Sequence, residues 1–182
     1  TPRQRPYVLA MGAEMRNYAL LFEAVRDLDV EVVVKSSSAW MASARREFRS
    51  IPVNVRVLTQ RLSYVELRDL YAGAALVVVP LYDTPQAAGI TTILEGLAMQ
   101  KCVVATHSRG LPDILVHNET GVITEPDAGV LAGALAHLLA APQPRQTLAH
   151  AGRRVLMATV TIEQHAGRIS DCVISVAGRK LT

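Results

Sequence analysis

The hydrophobic residues form short continuous runs that alternate with longer segments of helical periodicity. The runs predict strands at residues 7–11, 30–34, 53–58, 76–79, 102–106 and 121–124. Runs that are apolar on both faces, alternating with helices, are typical of a parallel sheet covered on both sides. We therefore expect an α/β fold, a Rossmann-like three-layer α/β/α domain with a mainly parallel six-stranded sheet.

Helical periodicity fills the segments between these runs. It predicts helices at about 16–28, 63–74, 90–100, 127–141, 143–158 and 161–177, and one short helical turn at 112–116. Ser63 and Glu66 have the spacing of a capping box, which marks the start of one of these helices. Residues 36–50 fit a loop with a short basic helix. We expect a single domain over 1–182, with its core at about 6–160.

Composition narrows the class of protein. Half of the 182 residues are hydrophobic, yet every apolar stretch is interrupted before the ~20 residues that a bilayer crossing needs. Lys and Arg are scattered with few aromatic residues among them, which argues against nucleic-acid binding. The net charge of +3 suits an anionic small molecule or an anionic lipid surface. Cys102 and Cys172 lie in apolar runs and predict buried thiols, so we expect a cytoplasmic protein.

The loop after the fourth predicted strand carries the main candidate site. In an open α/β sheet, ligands bind beyond the carboxyl ends of the strands, where the strand order reverses. Gly89 allows close backbone approach, and the amides of Ile90, Thr91 and Thr92 begin a helix, which favours phosphate. Glu95 shares the face of the two threonines and is placed to accept hydrogen bonds from ribose hydroxyls. In the alternative, the threonines only begin a helix and Glu95 is a solvated charge.

Several segments, in order, resemble a known family. They are Pro80, the 89–99 segment, the strand at 103–106, Arg-Gly-Leu-Pro-Asp-Ile at 109–114, Asn-Glu-Thr-Gly-Val at 118–122 and Glu-Pro-Asp at 125–127. Over roughly residues 6–175, the chain resembles the C-terminal, nucleotide-sugar-binding half of retaining glycosyltransferases of the two-domain GT-B type, in particular glycosyltransferase family 4. The resemblance implies transfer of a hexosyl group from a UDP- or GDP-sugar, with no bound cofactor or metal.

The resemblance also implies roles for particular residues. Glu95 matches the second glutamate of the family's paired-glutamate motif, which holds the ribose, and residues 89–92 match the segment that cradles the diphosphate. Gly12 matches the glycine near the first strand, and Arg16 aligns with a lysine that touches the diphosphate. Lys35, at the end of the second strand, is a further phosphate candidate. The base-contacting region comprises Leu58, Thr59 and Leu62.

The chain departs from the family pattern at the donor-sugar contact. Ala87 stands where the first glutamate of the pair is expected, eight positions before Glu95. Gln86, beside it, is a candidate for this contact, and no catalytic residue is assigned. The histidines lack metal-ligand spacing with a third partner, so we expect no metal site.

The resemblance further implies a partner. A donor domain forms one wall of the GT-B cleft, so we expect transfer to need an N-terminal acceptor-binding domain that is missing from this chain. The helix at 161–177 is expected to cross to that domain or to pair in a homodimer. Peripheral membrane association of the full enzyme is compatible with this picture. The alternative is a stand-alone, non-catalytic nucleotide-binding or oligomerisation module.

Overall fold

The computed structural model describes residues 6–36 and 50–179. Within them, one sheet of six strands runs in the order β3-β2-β1-β4-β5-β6, and every neighbouring pair is parallel. The strands are β1 (Tyr7–Met11), β2 (Glu31–Lys35), β3 (Val55–Val57), β4 (Ala74–Val79), β5 (Cys102–Thr106) and β6 (Val122–Thr124). The helices are α1 (Tyr18–Val25), α2 (Tyr64–Gly73), α3 (Ile90–Ala98), α4 (Ala128–Ala140), α5 (Pro142–Thr159) and α6 (Ile162–Arg179). The predicted Rossmann-like α/β fold is confirmed.

The sheet is buried on both faces because side chains alternate along each strand. In β1, Val8 and Ala10 join the core that packs against α1 and α4, whereas Tyr7, Leu9 and Met11 join the core that includes residues of α2, α3 and α5. Continuous apolar strands therefore produce three layers, as the sequence pattern predicted.

Most predicted boundaries are close to those observed, and three predictions are wrong. Helix α1 begins at Tyr18, after the N-cap Asn17, so Arg16 precedes the helix. Residues 112–116 form turns without a helix. Cys102 is buried as predicted, but Cys172 is exposed on α6, whose described side chains at 165–177 are all exposed. The predicted loop and basic helix at 36–50 lie almost entirely outside the described residues.

The strand order reverses between β1 and β4. From β1 the chain adds β2 and β3 on one side, and it then returns to place β4 on the other side. The loops that follow β1 and β4 are joined by two backbone hydrogen bonds, from Asn17 N to Pro80 O at 2.9 Å and from Tyr82 N to Met15 O at 2.9 Å. This junction is the position at which α/β folds bind ligands.

Across the described part of the chain, none of the helices combines the length and the apolar character needed to span a bilayer.

Candidate functional site

The first turn of α3 presents unpaired backbone donors at the strand-order reversal. Its N-cap, Gly89, has φ 74° and makes no side-chain cap. The first helical bond runs from Ile93 N to Gly89 O at 3.0 Å, and within the described residues the amides of Ile90, Thr91 and Thr92 have no acceptor. Together with the helix dipole, three free N–H groups form a seat for an anion such as phosphate. The amides that the sequence singled out are therefore open.

Arg16 lies beside this helix start and is almost fully buried, with 6% of its surface exposed. Its Nε donates to Met11 O at 2.8 Å, its Nη1 to Glu14 O at 2.7 Å and its Nη2 to Thr92 Oγ1 at 3.1 Å. No carboxylate among the described residues lies within 4.0 Å of the guanidinium. Burial is the main cause that lowers the pKa of Arg16. The site thus holds a cation that the described chain does not neutralise.

Gly12 makes room for that cation. Its φ is 93°, and a Cβ at this position would lie 2.6 Å from Arg16 Nη2. Its amide donates to Lys35 O at 3.1 Å, which links the end of β1 to the end of β2. A larger residue at position 12 would displace the guanidinium, so the glycine acts through Arg16.

Lys35 is a second buried cation at the same edge. It pairs with Met11 across the sheet, is 4% exposed, and its Nζ has no hydrogen-bond partner among the described residues. Burial lowers the pKa of its ammonium. A buried ammonium without a partner is unfavourable, so a bound anion would stabilise it.

Glu95 lies one turn along α3 and is half-buried. Tyr71, from the last turn of α2, donates its hydroxyl to Glu95 Oε2 at 2.7 Å, while Oε1 has no partner among the described residues. Burial and the bond to Glu95 raise the pKa of Tyr71, opposed by the smaller effects of Arg16 and Thr92. The bond to Tyr71 therefore holds the carboxylate through one of its two oxygens.

The two threonines of α3 have different roles. Thr91 is exposed, whereas Thr92 is buried, and its Oγ1 donates to Met11 O at 3.4 Å while accepting from Arg16. The Thr92 side chain therefore braces the helix against β1. It contributes only its amide to the open seat.

The loop before α3 rests on the loop after β5. Gln86 is exposed, and its Oε1 accepts a hydrogen bond from the Thr84 hydroxyl. Gly110 is required here, because a Cβ on it would lie 1.8 Å from Gln86 O. Asp83 and Arg109 form an ion pair at 3.0 Å between the same two loops. The side-chain nitrogen Nε2 of Gln86 has no partner among the described residues, so Gln86 stays a candidate for a sugar contact.

The predicted base-contacting region follows β3 along the same sheet edge. Leu58 donates its amide to Val34 O at 2.8 Å and is half-buried, as is Leu62, whereas Thr59 is exposed. Within the described residues, the amides of 59–62 donate no hydrogen bond. The four amides of 59–62 are therefore open to a ligand, within the described part of the chain.

Sequence reasoning missed two elements of this arrangement, the hydroxyl of Tyr71 and the support from Gly110. The helical period predicted a helix over 63–74 but no role for Tyr71, and neither contact is local in sequence.

Over residues 6–36 and 50–179, no three or more His, Cys, Asp and Glu side chains group in a way that could hold a metal. A groove of about 690 Å³ lies at the opposite, amino-terminal edge of the sheet, among residues such as Leu28, Asn54 and Leu139. It includes none of the predicted site residues.

Comparison with known proteins gives one family and many similar folds. Residues 5–141 match the family described as Glycosyl transferases group 1. No curated protein matches the chain. Among solved structures, the C-terminal domain of the glycosyl transferase group 1 family protein LpcC from Francisella tularensis superposes with a TM-score of 0.69 at 19% identity, covering 86% of this chain and 87% of that one.

Two longer proteins are also similar. Sucrose-phosphate synthase from Thermosynechococcus elongatus has a TM-score of 0.81 at 22% identity, covering 98% of this chain and 47% of that one. Anabaena HepE, in complex with UDP and glucose, has a TM-score of 0.78 at 16% identity, covering 96% of this chain and 50% of that one. The chain therefore spans about half the length of both proteins.

Proposed function

Since the chain belongs to the family of glycosyl transferases group 1, we propose that it binds the nucleoside diphosphate of a sugar donor at the reversal between β1 and β4. It serves in this proposal as the donor-binding half of a retaining, family 4 type glycosyltransferase that transfers a hexosyl group. Because the chain spans about half of its longer relatives, transfer is assigned to the chain together with an acceptor-binding domain.

One observation carries the proposal: open helix amides and two buried cations, neither paired with a carboxylate in 6–36 and 50–179, share one edge of the sheet. Arg16 contacts the first turn of α3 directly, and Lys35 ends the strand beside β1. A diphosphate carries the negative charge that this edge lacks, and it can accept hydrogen bonds from the amides of 90–92. A neutral ligand would leave both cations unpaired.

The remaining residues fit the other parts of a nucleotide. Glu95 offers Oε1 to a pair of ribose hydroxyls beside the diphosphate, and the free amides at 59–62 suit the edge of a base. The similar protein HepE was solved with UDP and glucose, which supports a uridine diphosphate donor here. A guanosine diphosphate donor is the alternative that the family resemblance implies. Gln86 is proposed to contact the donor sugar, since Ala87 has no polar group for it.

Thermal shift measurements on the purified chain test the proposal. A ligand that binds only the folded state stabilises it by about 2.7 kcal/mol when its concentration is 100 times Kd. We expect UDP or GDP to raise Tm, Glu95→Ala to remove most of the rise, and the control Glu119→Ala, at an exposed position, to leave it intact. The proposal fails if no nucleoside diphosphate changes Tm, or if Glu95→Ala responds like the control.

A second candidate, an oligomerisation or interaction module, is favoured by α6. Ile169, Val173 and Ile174 lie on one side of this helix and are 52%, 62% and 67% exposed. Apolar groups with this spacing suit a neighbouring surface, either the acceptor-binding domain or a second copy. Light scattering of the unaltered chain and of the Val173→Asp variant distinguishes a second copy from an acceptor-binding domain as the neighbouring surface. A monomer in both cases excludes the homodimer.

A further inference from the structure

Tyr71 joins two parts of the proposed site. It lies in the last turn of α2, the helix that begins directly after the predicted base-contacting region, and it is 1% exposed. Its hydroxyl reaches Glu95 Oε2 on α3 at 2.7 Å. The bond therefore connects the helix behind the base region to the carboxylate assigned to the ribose.

The bond has a fixed direction. Burial and the neighbouring Glu95 raise the pKa of the Tyr71 phenol, so it remains protonated and donates at any working pH. The ring packs in the apolar core on this face of the sheet, which leaves the hydroxyl little freedom. Glu95 is half-buried, and the bond is the one that the described residues make to its carboxylate. Without it, nothing described would fix the rotation of that side chain.

We propose that Tyr71 is a positioning residue that holds Glu95 with Oε2 engaged and Oε1 facing the ribose hydroxyls. This inference rests on the proposed function. It deepens that function by assigning the recognition of the ribose diol to Tyr71 and Glu95 together. A carboxylate that is already oriented loses less conformational freedom when the ligand binds. The diphosphate seat offers the backbone amides of 90–92, whereas the pair acts through its side chains.

Isothermal titration calorimetry separates recognition of the ribose from binding of the diphosphate. The ligands are UDP, 2′,3′-dideoxy-UDP and inorganic pyrophosphate. If GDP gives the larger thermal shift, GDP and 2′,3′-dideoxy-GDP replace the two uridine compounds. The variants are Tyr71→Phe, Glu95→Gln and the double variant. The control is Tyr7→Phe, because Tyr7 is also buried and its hydroxyl donates to Leu70 O of the same helix at 2.5 Å. The readout is the ratio of the dideoxy Kd to the parent Kd.

We expect Tyr71→Phe to reduce this ratio by roughly three- to tenfold, the loss typical of one hydrogen bond. Pyrophosphate affinity should stay unchanged, and Tyr7→Phe should keep the ratio of the unaltered chain. Because Tyr71 acts through Glu95, adding Tyr71→Phe to Glu95→Gln should reduce the ratio no further.

Four outcomes would overturn the inference. A folded Tyr71→Phe with an unchanged ratio shows a purely structural phenol, and an additive double variant shows that Tyr71 does not act through Glu95. If Tyr71→Phe does not fold, it is replaced by Glu95→Asp, whose shorter side chain withdraws the carboxylate from the Tyr71 hydroxyl. A ratio in Glu95→Asp equal to that of the unaltered chain then overturns the inference. Failure of the unaltered chain to bind UDP, GDP or pyrophosphate overturns the proposed function as well.

Discussion

The guanidinium of Arg16 donates to the hydroxyl of Thr92 at 3.1 Å, although 76 positions separate the two residues. The bond crosses the strand-order reversal and joins the loop after β1 to the first turn of α3. The same guanidinium binds Met11 O and Glu14 O. Arg16 therefore both shapes the edge of the site and supplies its charge.

These two roles of Arg16 respond differently to substitution. Arg16→Lys keeps a cation but cannot reach three separate acceptors, whereas Arg16→Met removes the charge as well. We expect both variants to lower the free energy of unfolding by about 1–3 kcal/mol, because buried acceptors lose their donor. Urea denaturation measures this loss. Nucleotide titration should show partial binding in Arg16→Lys and little in Arg16→Met, and equal binding in the two would exclude a role for the charge.

Gly89 is expected to be irreplaceable at the start of α3. Its left-handed φ of 74° is unfavourable for other residues, and a Cβ would lie 2.9 Å from Val79 Cγ1. We expect Gly89→Ala to lower the free energy of unfolding by about 1–3 kcal/mol and to displace the open amides, which weakens diphosphate binding.

Gly133→Ala is the matched control for this substitution. Gly133 lies inside α4, where a Cβ would have no described atom within 4 Å. Alanine is the better helix former, so this variant should gain up to about 1 kcal/mol and bind nucleotide normally. A Gly89→Ala chain as stable as Gly133→Ala would contradict the strain assigned to position 89.

The sequence patterns predicted the layers well because burial on both faces leaves a continuous apolar run in each strand. They placed the start of α1 two residues early, because the position of Arg16 depends on bonds to Leu81, Thr92 and other residues outside the local segment. They predicted a buried Cys172 because an apolar run alone cannot show whether anything packs on it.

The open amides at 90–92 could be predicted because Gly89 and the amides after it are neighbours in the chain. The contacts of Tyr71 with Glu95 and of Gly110 with Gln86 join residues 24 positions apart in each case. Such contacts depend on how α2 and the β5 loop pack, which helical or strand periodicity does not encode.

The capping box of α2 should show as a pH-dependent contribution to stability. Hydrogen bonds from the backbone and hydroxyl of Ser63 lower the pKa of Glu66 below its ordinary value of 4.5. A carboxyl group whose pKa is lowered by folding stabilises the folded state above pH 4.5. This stabilisation is lost as the pH falls through the pKa of the folded state. The Tm difference between the chain and Glu66→Gln should therefore be present at pH 7 and shrink below about pH 4.5. A difference that does not change with pH would contradict the capping role.

Lys35 should show opposite effects on stability and on binding. Its buried Nζ lacks a described partner, so Lys35→Met removes an unfavourable burial and should raise the free energy of unfolding by about 1–3 kcal/mol at neutral pH. Because burial lowers the pKa of Lys35, the gain should shrink as the pH rises toward the ordinary value of 10.5. The same variant should weaken nucleotide binding, because the diphosphate loses a cation.

Lys101→Met provides the contrast, since Lys101 is also partly buried but its Nζ donates to Ala72 O at 2.8 Å and to Ala74 O at 2.9 Å. Removing a satisfied ammonium should lower stability and leave the nucleotide response intact. Urea denaturation with and without UDP or GDP measures both quantities for each variant. A loss of stability in Lys35→Met, or an unchanged nucleotide response, would remove Lys35 from the site. A buried ammonium that serves to bind an anion must destabilise the fold when the anion is absent and stabilise the complex when it is bound.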